Sequence, residues 1–318
     1  MKCVVTGGAG FIGSNLVDCL LARGDQVIAY DNLVSGFREF LTDASKHSAF
    51  EFVEGDVGDV DLLARTFRGV DMVFHFAANA DVRFGTNHPE KDLKQNTIAT
   101  FNVLEAMRRN AVKRIAFSST SSVYGEARII PTPEDAPFPI QTSLYAASKL
   151  AGEGLITAYC EGFGFQSWIF RFVSILGARY THGHVFDFVN KLRANPQELH
   201  ILGNGLQTKS YMDVSDCVGA ILTAVERGKD KVNIFNLGTG DACTVNQSVG
   251  WICERLGLAP KLTYSGGERG WIGDIPVIQL DASRVRKLGW QPKYGIRDSV
   301  VRTVDWLTAN TWALEARK

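Results

Sequence analysis

Three residues have the types and the spacing to transfer a proton: Tyr145, Lys149 and Thr120. The pattern predicts a helix that begins near Ser143, so Tyr145 and Lys149 lie four residues apart on one helix face. A phenol has a pKa near ~10, too high for a base at neutral pH unless a neighbouring cation stabilises the phenolate. Lys149 would supply that cation, and the Thr120 hydroxyl would share the hydrogen bond to the reacting oxygen. An isolated pair of this kind is also typical of a surface helix contact. The rest of the sequence must therefore decide between a structural pair and a catalytic one.

The start of the chain provides that context. Lys2 to Thr6 is a short β-branched run that predicts a strand, and a glycine-rich turn with Gly7, Gly10 and Gly13 follows it and opens an apolar helix. Such a turn lets the backbone approach a pyrophosphate, whose charge the helix N–H groups and the positive end of the dipole bind. The pattern predicts a dinucleotide site.

An acidic residue indicates which dinucleotide binds. Gln26 to Tyr30 predicts a second strand, and Asp31 follows it 18 residues after Gly13. A carboxylate at this place hydrogen-bonds the ribose 2′-OH and would repel a 2′-phosphate. The sequence therefore favours NAD over NADP, with a solvated turn residue as the alternative for Asp31.

The β/α alternation continues through predicted strands at Phe50–Val53, Met72–Phe76 and Arg114–Phe117, with helical patterns between them. This alternation predicts a Rossmann-type, doubly wound parallel sheet with helices on both faces. Because ligands bind at the carboxyl ends of parallel strands, the residues expected at the pocket are Asp56, Phe76, Ala77, Ala78, Asn96, Ser118, Ser119 and Thr120.

Composition excludes several classes of protein. The 318 residues carry 34 Lys plus Arg against 34 Asp plus Glu, so no net field favours nucleic acid. No apolar run reaches the ~18 residues that a membrane span needs, and the chain starts without a secretory signal pattern. The six cysteines are scattered singly, and His182 and His184 have no further ligands at metal spacing, so no metal site is predicted. We expect a cytoplasmic protein.

The stretch Thr6 to Gly13, together with Tyr145 to Lys149, resembles the extended short-chain dehydrogenase/reductase family, and within it the nucleotide-sugar epimerases. The similarity continues through Phe117–Gly125, Arg171–Gly177, Ile201–Asp216 and Gly270–Trp290. It implies NAD as cofactor, a nucleotide-sugar substrate linked to UDP, and transient oxidation at sugar C4 with no net redox change. The catalytic residues that it implies are Thr120, Tyr145 and Lys149. The implied cofactor residues are Gly7, Gly10, Phe11, Ile12, Gly13, Asp31, Asn32, Asp56, Val57, Phe76, Ala77, Ala78, Asn96, Ser118, Tyr145, Lys149 and Phe172.

Two serines separate this chain from related enzymes. The 4,6-dehydratases that it resembles carry an Asp-Glu pair directly after the catalytic Thr, and the decarboxylases usually keep a Glu at the second of these positions. Here the positions hold Ser121 and Ser122, whose hydroxyls titrate far too high for that acid and base work. Epimerisation is therefore favoured over dehydration and decarboxylation.

The substrate residues follow the family pattern less closely. Ser174 stands where many epimerases have Asn, Lys209 where a diphosphate-binding Arg is common, and Leu202 where an aromatic often packs on the base. Arg269 lies five residues before Asp274 instead of the commoner three. The implied substrate residues are Arg83, Thr120, Ser121, Ser122, Ser174, His184, Val185, His200, Leu202, Lys209 and Arg269. For Arg83 a surface ion pair is the alternative.

The resemblance also implies two domains: a NAD-binding domain over residues 1–172, to which 208–240 return, and a smaller C-terminal α/β substrate domain over 173–318. Residues 211–216 are expected to start a helix of the returning segment. Two helices, Lys91–Asn110 and Tyr145–Phe163, have apolar residues on more than one face, which favours a homodimer. Two alternatives remain at this point: a net NAD-dependent reductase or dehydrogenase of a nucleotide-linked keto sugar, and a non-catalytic NAD-binding protein.

Overall fold

A computed structural model describes residues 1–80, 84–138, 140–270 and 275–316 of the chain. The strands are β1 (Lys2–Thr6), β2 (Gln26–Asp31), β3 (Phe50–Glu54), β4 (Met72–His75), β5 (Arg114–Thr120), β6 (Gln166–Phe172), β7 (Ser174–Leu176), β8 (Glu198–Ile201), β9 (Thr208–Lys209), β10 (Tyr211–Asp213), β11 (Val232–Leu237), β12 (Cys243–Thr244) and β13 (Lys261–Tyr264). The α-helices are α1 (Phe11–Ala22), α2 (Val60–Thr66), α3 (Phe84–Asn87), α4 (Pro89–Asp92), α5 (Ala99–Arg109), α6 (Leu144–Phe163), α7 (His184–Ala194), α8 (Val214–Arg227), α9 (Val245–Leu256), α10 (Ser283–Lys287), α11 (Ile296–Ala309) and α12 (Thr311–Glu315). A π-helical stretch, Leu93–Ile98, joins α4 to α5, and 3-10 turns lie at Arg38–Leu41, Ala44–Lys46 and Ser121–Tyr124.

Seven strands form the central sheet, in the order β11-β6-β5-β4-β1-β2-β3. β1 runs parallel to β2 and β4, β2 runs parallel to β3, and β4 runs parallel to β5. Because β2 and β3 extend the sheet on one side of β1 and β4 to β6 on the other, the order reverses at β1 and β4, where such sheets bind ligands. The predicted Rossmann-type fold is confirmed.

Hydrophobic burial on both faces holds this sheet. On one face the strand residues Val4, Ile28 and Val73 join a continuous core with side chains of α2, α5 and α6. Cys3 and Val5 alternate with Val4 and are also fully buried, so the opposite face of β1 is covered too. The near-continuous apolar runs of these strands are therefore explained by burial on two sides.

The contacts within the chain divide it into two compact units. Unit 1 comprises Met1–Val123, Gln141–Arg171 and Ile221–Phe235, and unit 2 comprises Tyr124–Ile140, Phe172–Ala220 and Asn236–Lys318. Phe172 and three stretches that were predicted to lie in the first domain, 124–140, 208–220 and 236–240, therefore cluster with unit 2. The assignment of the units to cofactor and substrate stays a prediction.

Backbone hydrogen bonds explain why these stretches cluster with unit 2. The backbone of Thr132 bonds to those of Gln279 and Asp281, which ties 124–140 to unit 2. β9 pairs with β12, and β10 pairs with β7, so the segment from 208 is also held there. Residues 211–213 form a strand instead of the expected helix start, and α8 begins at Val214.

Unit 2 is built from small sheets and helices. Its pairs are β7 with β10, β9 with β12 and β8 with β13, and α7, α9 and α11 pack against one another. Across the described ranges of both units, no helix combines the length and apolar character needed to cross a membrane.

Candidate active site

The helix α6 brings the predicted proton-transfer residues to the end of β5. The side chain of Ser143 caps the helix by accepting a hydrogen bond from the backbone N–H of Ala146 at 3.1 Å. Tyr145 and Lys149 then lie one turn apart. The Tyr145 hydroxyl is hydrogen-bonded to the Thr120 hydroxyl, and Lys149 Nζ donates to the Ser118 carbonyl oxygen at 2.8 Å. The structure therefore brings together Thr120, Tyr145, Lys149 and Ser118, which were all predicted from the sequence.

Burial governs the proton affinity of both groups. It raises the pKa of Tyr145 to about 12, with the Asp92 carboxylate acting in the same direction and the hydrogen bond to Thr120 opposing it. It lowers the pKa of Lys149 to about 7, against the effect of Asp92 and Glu153. The pKa of Tyr145 is thus raised where the sequence led us to expect a lowered one. Another positive charge beside the phenol is needed to make it a base near neutrality.

Hydroxyl groups follow Thr120 directly. Thr120 Oγ1 lies 3.2 Å from Ser122 Oγ and accepts from the Ser122 backbone N–H at 3.1 Å. Ser121 is buried next to them, in the 3-10 turn that ends β5. This part of the site offers hydroxyls and no carboxylate at positions 121 and 122.

The glycine turn after β1 has a shape that only glycine permits. Gly7 adopts φ +71°, and a Cβ there would lie 2.7 Å from the backbone nitrogen of Ala77 at the end of β4. A Cβ on Gly13 would lie 2.1 Å from the carbonyl oxygen of Gly7. A Cβ on Gly10 would meet only that oxygen, at 3.1 Å, among the described atoms within 4 Å. The loop packs tightly on β4 while the start of α1, with Phe11 and Ile12, has no capping side chain or acid in its first turn.

This geometry fits the pyrophosphate of a dinucleotide, because the helix N-terminus presents backbone N–H groups and the positive dipole end. Asp31 holds the same loop. Its Oδ2 accepts from Ala9 N at 3.0 Å and its Oδ1 from Leu33 N at 2.8 Å. Burial raises the pKa of Asp31, and these two bonds lower it. Each carboxylate oxygen has a second lone pair, so the group keeps the capacity to accept from a ribose hydroxyl.

Further predicted cofactor residues cluster after β2 and β3. Asn32 Nδ2 donates to Asp56 Oδ2 at 2.6 Å, and Gly58 N donates to Asp56 Oδ1 at 2.7 Å. Asn102 Nδ2 donates to the carbonyl oxygen of Val57 at 3.1 Å. The structure therefore brings Asn32, Asp56 and Val57 together at the edge where Asp31 lies.

The segment after β4 is tied to α6 through amide side chains. Phe76, Ala77 and Ala78 are half-buried, and Ala77 N donates to Thr6 Oγ1 at 3.3 Å. Asn96 Oδ1 accepts from Asn79 N at 2.9 Å, and its Nδ2 donates to Ser148 Oγ at 2.8 Å. Asn96 lies in the π-helical stretch, whose wider turn is common at functional sites.

Several residues of this network were missed at the sequence level. His75 is buried between Thr6 and Thr100, with Nδ1 2.8 Å from the first hydroxyl and Nε2 3.1 Å from the second. Burial and the nearby Lys149 lower its pKa to about 3, so it stays neutral. Asp92 accepts from Asn79 Nδ2 and Asn96 Nδ2. A polar residue inside an apolar strand, as at position 75, is the signal that could have identified His75.

Three of the predicted substrate residues meet in unit 2. The His184 ring stacks on Tyr211 with ring centroids 4.6 Å apart, and its Nε2 lies 2.8 Å from Ser248 Oγ. Tyr211 pairs with Ser174 between β10 and β7. Burial and the nearby Lys209 ammonium lower the pKa of His184 to about 3, and Lys209 Nζ itself donates to the Ile275 carbonyl oxygen. His184 and Lys209 therefore form one polar cluster, and Ser174 is connected with it only through the strand pairing of Tyr211.

The other predicted substrate residues are not part of this cluster. Val185 is fully buried, so its side chain belongs to the core. His200 Nδ1 lies 3.2 Å from Thr263 Oγ1, and Leu202 is exposed one residue after β8. Arg269 Nη2 donates to Glu126 Oε1 at 2.5 Å. Phe172 ends β6 in a buried position, and Arg83 lies outside the described residues.

Comparisons with known proteins agree with this geometry. The model of the NAD dependent epimerase/dehydratase family matches residues 3–238. UDP-glucose 4-epimerase of Mycolicibacterium smegmatis is 33% identical over 314 residues, which are 96% of this chain and 98% of that protein. A crystal structure of UDP-galactose 4-epimerase is 39% identical with a TM-score of 0.88 and covers 98% of this chain and 100% of that one. A dTDP-glucose 4,6-dehydratase double mutant from Streptomyces venezuelae, with NAD and DAU bound, is 29% identical with a TM-score of 0.92 over all of both chains.

Proposed function

We propose that this chain, which belongs to the NAD dependent epimerase/dehydratase family, is a nucleotide-sugar 4-epimerase of the UDP-glucose/UDP-galactose type. The family is NAD-dependent, and the glycine turn fits that cofactor. The observation that carries the reaction type is the hydrogen bond between Tyr145 and Thr120 beside a pair of serines, Ser121 and Ser122. Dehydration needs an acid and a base where these serines stand.

The proposed cofactor residues lie around the carboxyl edge of the sheet, where the turn would hold the pyrophosphate and Asp31 the ribose. When bound, NAD would supply a hydride acceptor and donor for sugar C4 and a positive charge near the phenol. The residues that would hold it are Gly7, Gly10, Phe11, Ile12, Gly13, Asp31, Asn32, Asp56, Val57, Phe76, Ala77, Ala78, Asn96, Ser118, Tyr145, Lys149 and Phe172.

Tyr145 moves the proton at the C4 oxygen, first as base and then as acid. The Thr120 hydroxyl is already hydrogen-bonded to the phenol, so it holds the phenolic oxygen toward the reacting hydroxyl. Lys149 is anchored on Ser118 O at 2.8 Å and contributes a cation one helix turn away. A proton removed at the first step returns to the same oxygen at the second, so the cycle leaves the enzyme unchanged.

The nucleoside diphosphate needs a cationic anchor, and the cluster of His184 and Lys209, with Ser174 on the strand paired with that of Tyr211, supports one. His184 stays neutral because its pKa is lowered, so Lys209 carries the positive charge there. The side chains of Ser174 and His184 would donate or accept hydrogen bonds. Val185, His200, Leu202, Arg83 and Arg269 complete the proposed substrate residues. UDP as the nucleotide is supported by the relatives named above.

The test is to incubate the purified protein, without added NAD, with UDP-glucose and UDP-galactose in separate reactions, and to follow the C4 epimer ratio by NMR. We expect both reactions to converge on one mixture, and Tyr145→Phe to show no conversion while it retains NAD. Turnover of Tyr145→Phe within tenfold of wild type would remove the phenol from its role. Conversion only with stoichiometric consumption of external NADH would instead establish a net reductase.

We also propose a homodimer that uses α5 and the start of α6. Phe101 on α5 and Leu144 on α6 are 44% and 46% exposed, and Leu93 and Ile98 on the π-helical stretch are similarly open. The opposite face of α5, with Val103 and Ala106, is already buried in unit 1. A helix with apolar residues on both faces is stabilised by burial against another subunit.

A further inference from the structure

Helix α6 contacts the end of β5 at three successive turns. Tyr145 is bonded to Thr120, and Lys149 to the carbonyl oxygen of Ser118, as described above. One turn further, Glu153 Oε1 accepts a hydrogen bond from Ser119 Oγ at 2.5 Å. The spacing i, i+4, i+8 on the helix thus matches three consecutive residues of the strand.

We propose that Glu153 is a positioning residue that fixes the end of β5 against α6 through Ser119. This inference rests on the proposed function, because the strand end that it fixes carries Thr120. Glu153 is not among the residues expected at the pocket, and Ser119, which the sequence placed there, directs its hydroxyl to Glu153 instead; both are almost fully buried.

An ion pair holds the Glu153 carboxylate in place. Arg171 on β6 donates from Nε to Oε1 at 3.0 Å and from Nη2 to Oε2 at 2.7 Å, with the side chains only 2% and 6% exposed. A bidentate pair fixes the orientation of a carboxylate as well as its position. Strand β6 neighbours β5 in the sheet, so the carboxylate is held between the helix and two strands.

The position of Ser119 matters because of its two neighbours in the chain. The Ser118 carbonyl oxygen is the acceptor for Lys149, and the Thr120 hydroxyl is the partner of Tyr145. A strand end that moved by about 1 Å would lengthen both hydrogen bonds, and displacements of that size cost enzymes about a hundredfold in rate. The bond to Ser119 lies between the two and resists that movement.

Several charged or titratable groups face Lys149 from the elements around it. Among the described residues these are Asp92 of α4, His75 of β4, Tyr145 and Glu153 of α6, and Arg171 of β6, which is paired with Glu153. Glu153 favours the protonated amine, and so does the hydrogen bond to Ser118 O. Loss of the Ser119 anchor frees the strand end and weakens the hydrogen bond from Lys149 to Ser118 O, so it lowers the pKa of Lys149 as well as the rate.

The experiment compares Ser119→Ala with Ser167→Ala in the full chain. Ser167 is a second fully buried serine of unit 1, at the start of β6, so its variant controls for the loss of a buried hydroxyl. For Ser119→Ala we expect kcat to fall about tenfold, with KM and bound NAD unchanged. The control should keep kcat within about twofold of wild type. Equal kcat values in the two variants would overturn the proposal.

A second readout does not depend on activity. Lysines labelled with carbon-13 at Cε report the titration of Lys149 by NMR, and Lys149→Met assigns its signal. We expect the pKa of Lys149 to fall by about one unit in Ser119→Ala and in Glu153→Gln, and to stay unchanged in Ser167→Ala. If the wild type epimerises no nucleotide sugar, the proposed function fails while this titration still decides the positioning role. An unchanged Lys149 titration in Ser119→Ala would refute it, even where Glu153→Gln does not fold.

Discussion

The glycine turn allows a prediction about two glycine-to-alanine substitutions. One, in the turn, should lower the free energy of unfolding, and the other, in an exposed helix, should raise it. Gly13 lies in the first turn of α1, and a Cβ there would sit 2.1 Å from the Gly7 carbonyl oxygen. Real Cβ contacts are essentially never closer than 3.0 Å, and both neighbours here are backbone, so the helix and the loop must separate by about 1 Å. We expect Gly13→Ala to lower the free energy of unfolding by about 2 to 3 kcal/mol. It should also abolish retention of NAD, because the N–H groups of α1 move away from the pyrophosphate.

Gly250 provides the matched control. It lies in α9, is exposed, and a Cβ there meets no described atom within 4 Å. Gly250→Ala should therefore raise the free energy of unfolding by about 0.5 to 1 kcal/mol, since alanine costs less backbone entropy in a helix. Urea unfolding and the NAD released from the denatured protein measure both effects. A Gly13→Ala variant that keeps its NAD and loses less than about 1 kcal/mol would refute the steric reasoning.

Three further predictions concern charge and association. Asp31→Ala should shift the ratio of NADP to NAD affinity toward NADP by about tenfold or more, because the carboxylate that repels a 2′-phosphate is gone; titration calorimetry with both nucleotides measures it. Lys149→Met should stabilise the nucleotide-free protein at pH 7 and below, by about 5 kcal/mol at most, since the folded pKa of Lys149 is lowered from 10.5 to about 7. The wild type regains this stability as pH rises from 7 to 10.5, so the difference between the two urea curves should shrink over that range. Phe101→Asp should convert the proposed dimer to a monomer in sedimentation analysis, because it places a charge on the apolar face of α5.

Each of these has a result that contradicts it. An unchanged nucleotide ratio in Asp31→Ala would show that the ribose is recognised elsewhere. A constant stability difference between pH 7 and 10.5 would mean that Lys149 is not the titrating group. A Phe101→Asp protein that sediments like the wild type would place any interface away from this face of α5.

The parts of the site that could be predicted are those with a local sequence signal. The glycine turn and the strand and helix around it lie within 22 residues of the start, and Asp31 follows the next strand. Tyr145 and Lys149 are one helix turn apart, so their common face follows from helix geometry. Thr120 was connected with this helix by its place in a hydroxyl cluster at a strand end, and the resemblance to a family then implied its catalytic role.

The supporting residues could not be predicted, because their contacts depend on which strands are neighbours. Glu153 and Arg171 are 18 residues apart, and the pair forms only because β6 lies beside β5. The grouping of the segment 124–140 with unit 2 could not be predicted for a similar reason. Its backbone bonds go to residues beyond 278, which no local pattern indicates.

The pKa values of Tyr145 and Lys149 were the property that the sequence predicted least well. From spacing alone, Lys149 lowers the pKa of the phenol, yet burial raises it to about 12 and the amine is directed to a backbone carbonyl. Under the proposed function this has a consequence for the order of events. A phenol with so high a pKa stays protonated at neutral pH until positive charge is brought beside it, and the oxidised cofactor carries that charge. Tyr145 therefore gains its basicity only where a hydride acceptor is already in place, which couples proton removal to oxidation of the sugar.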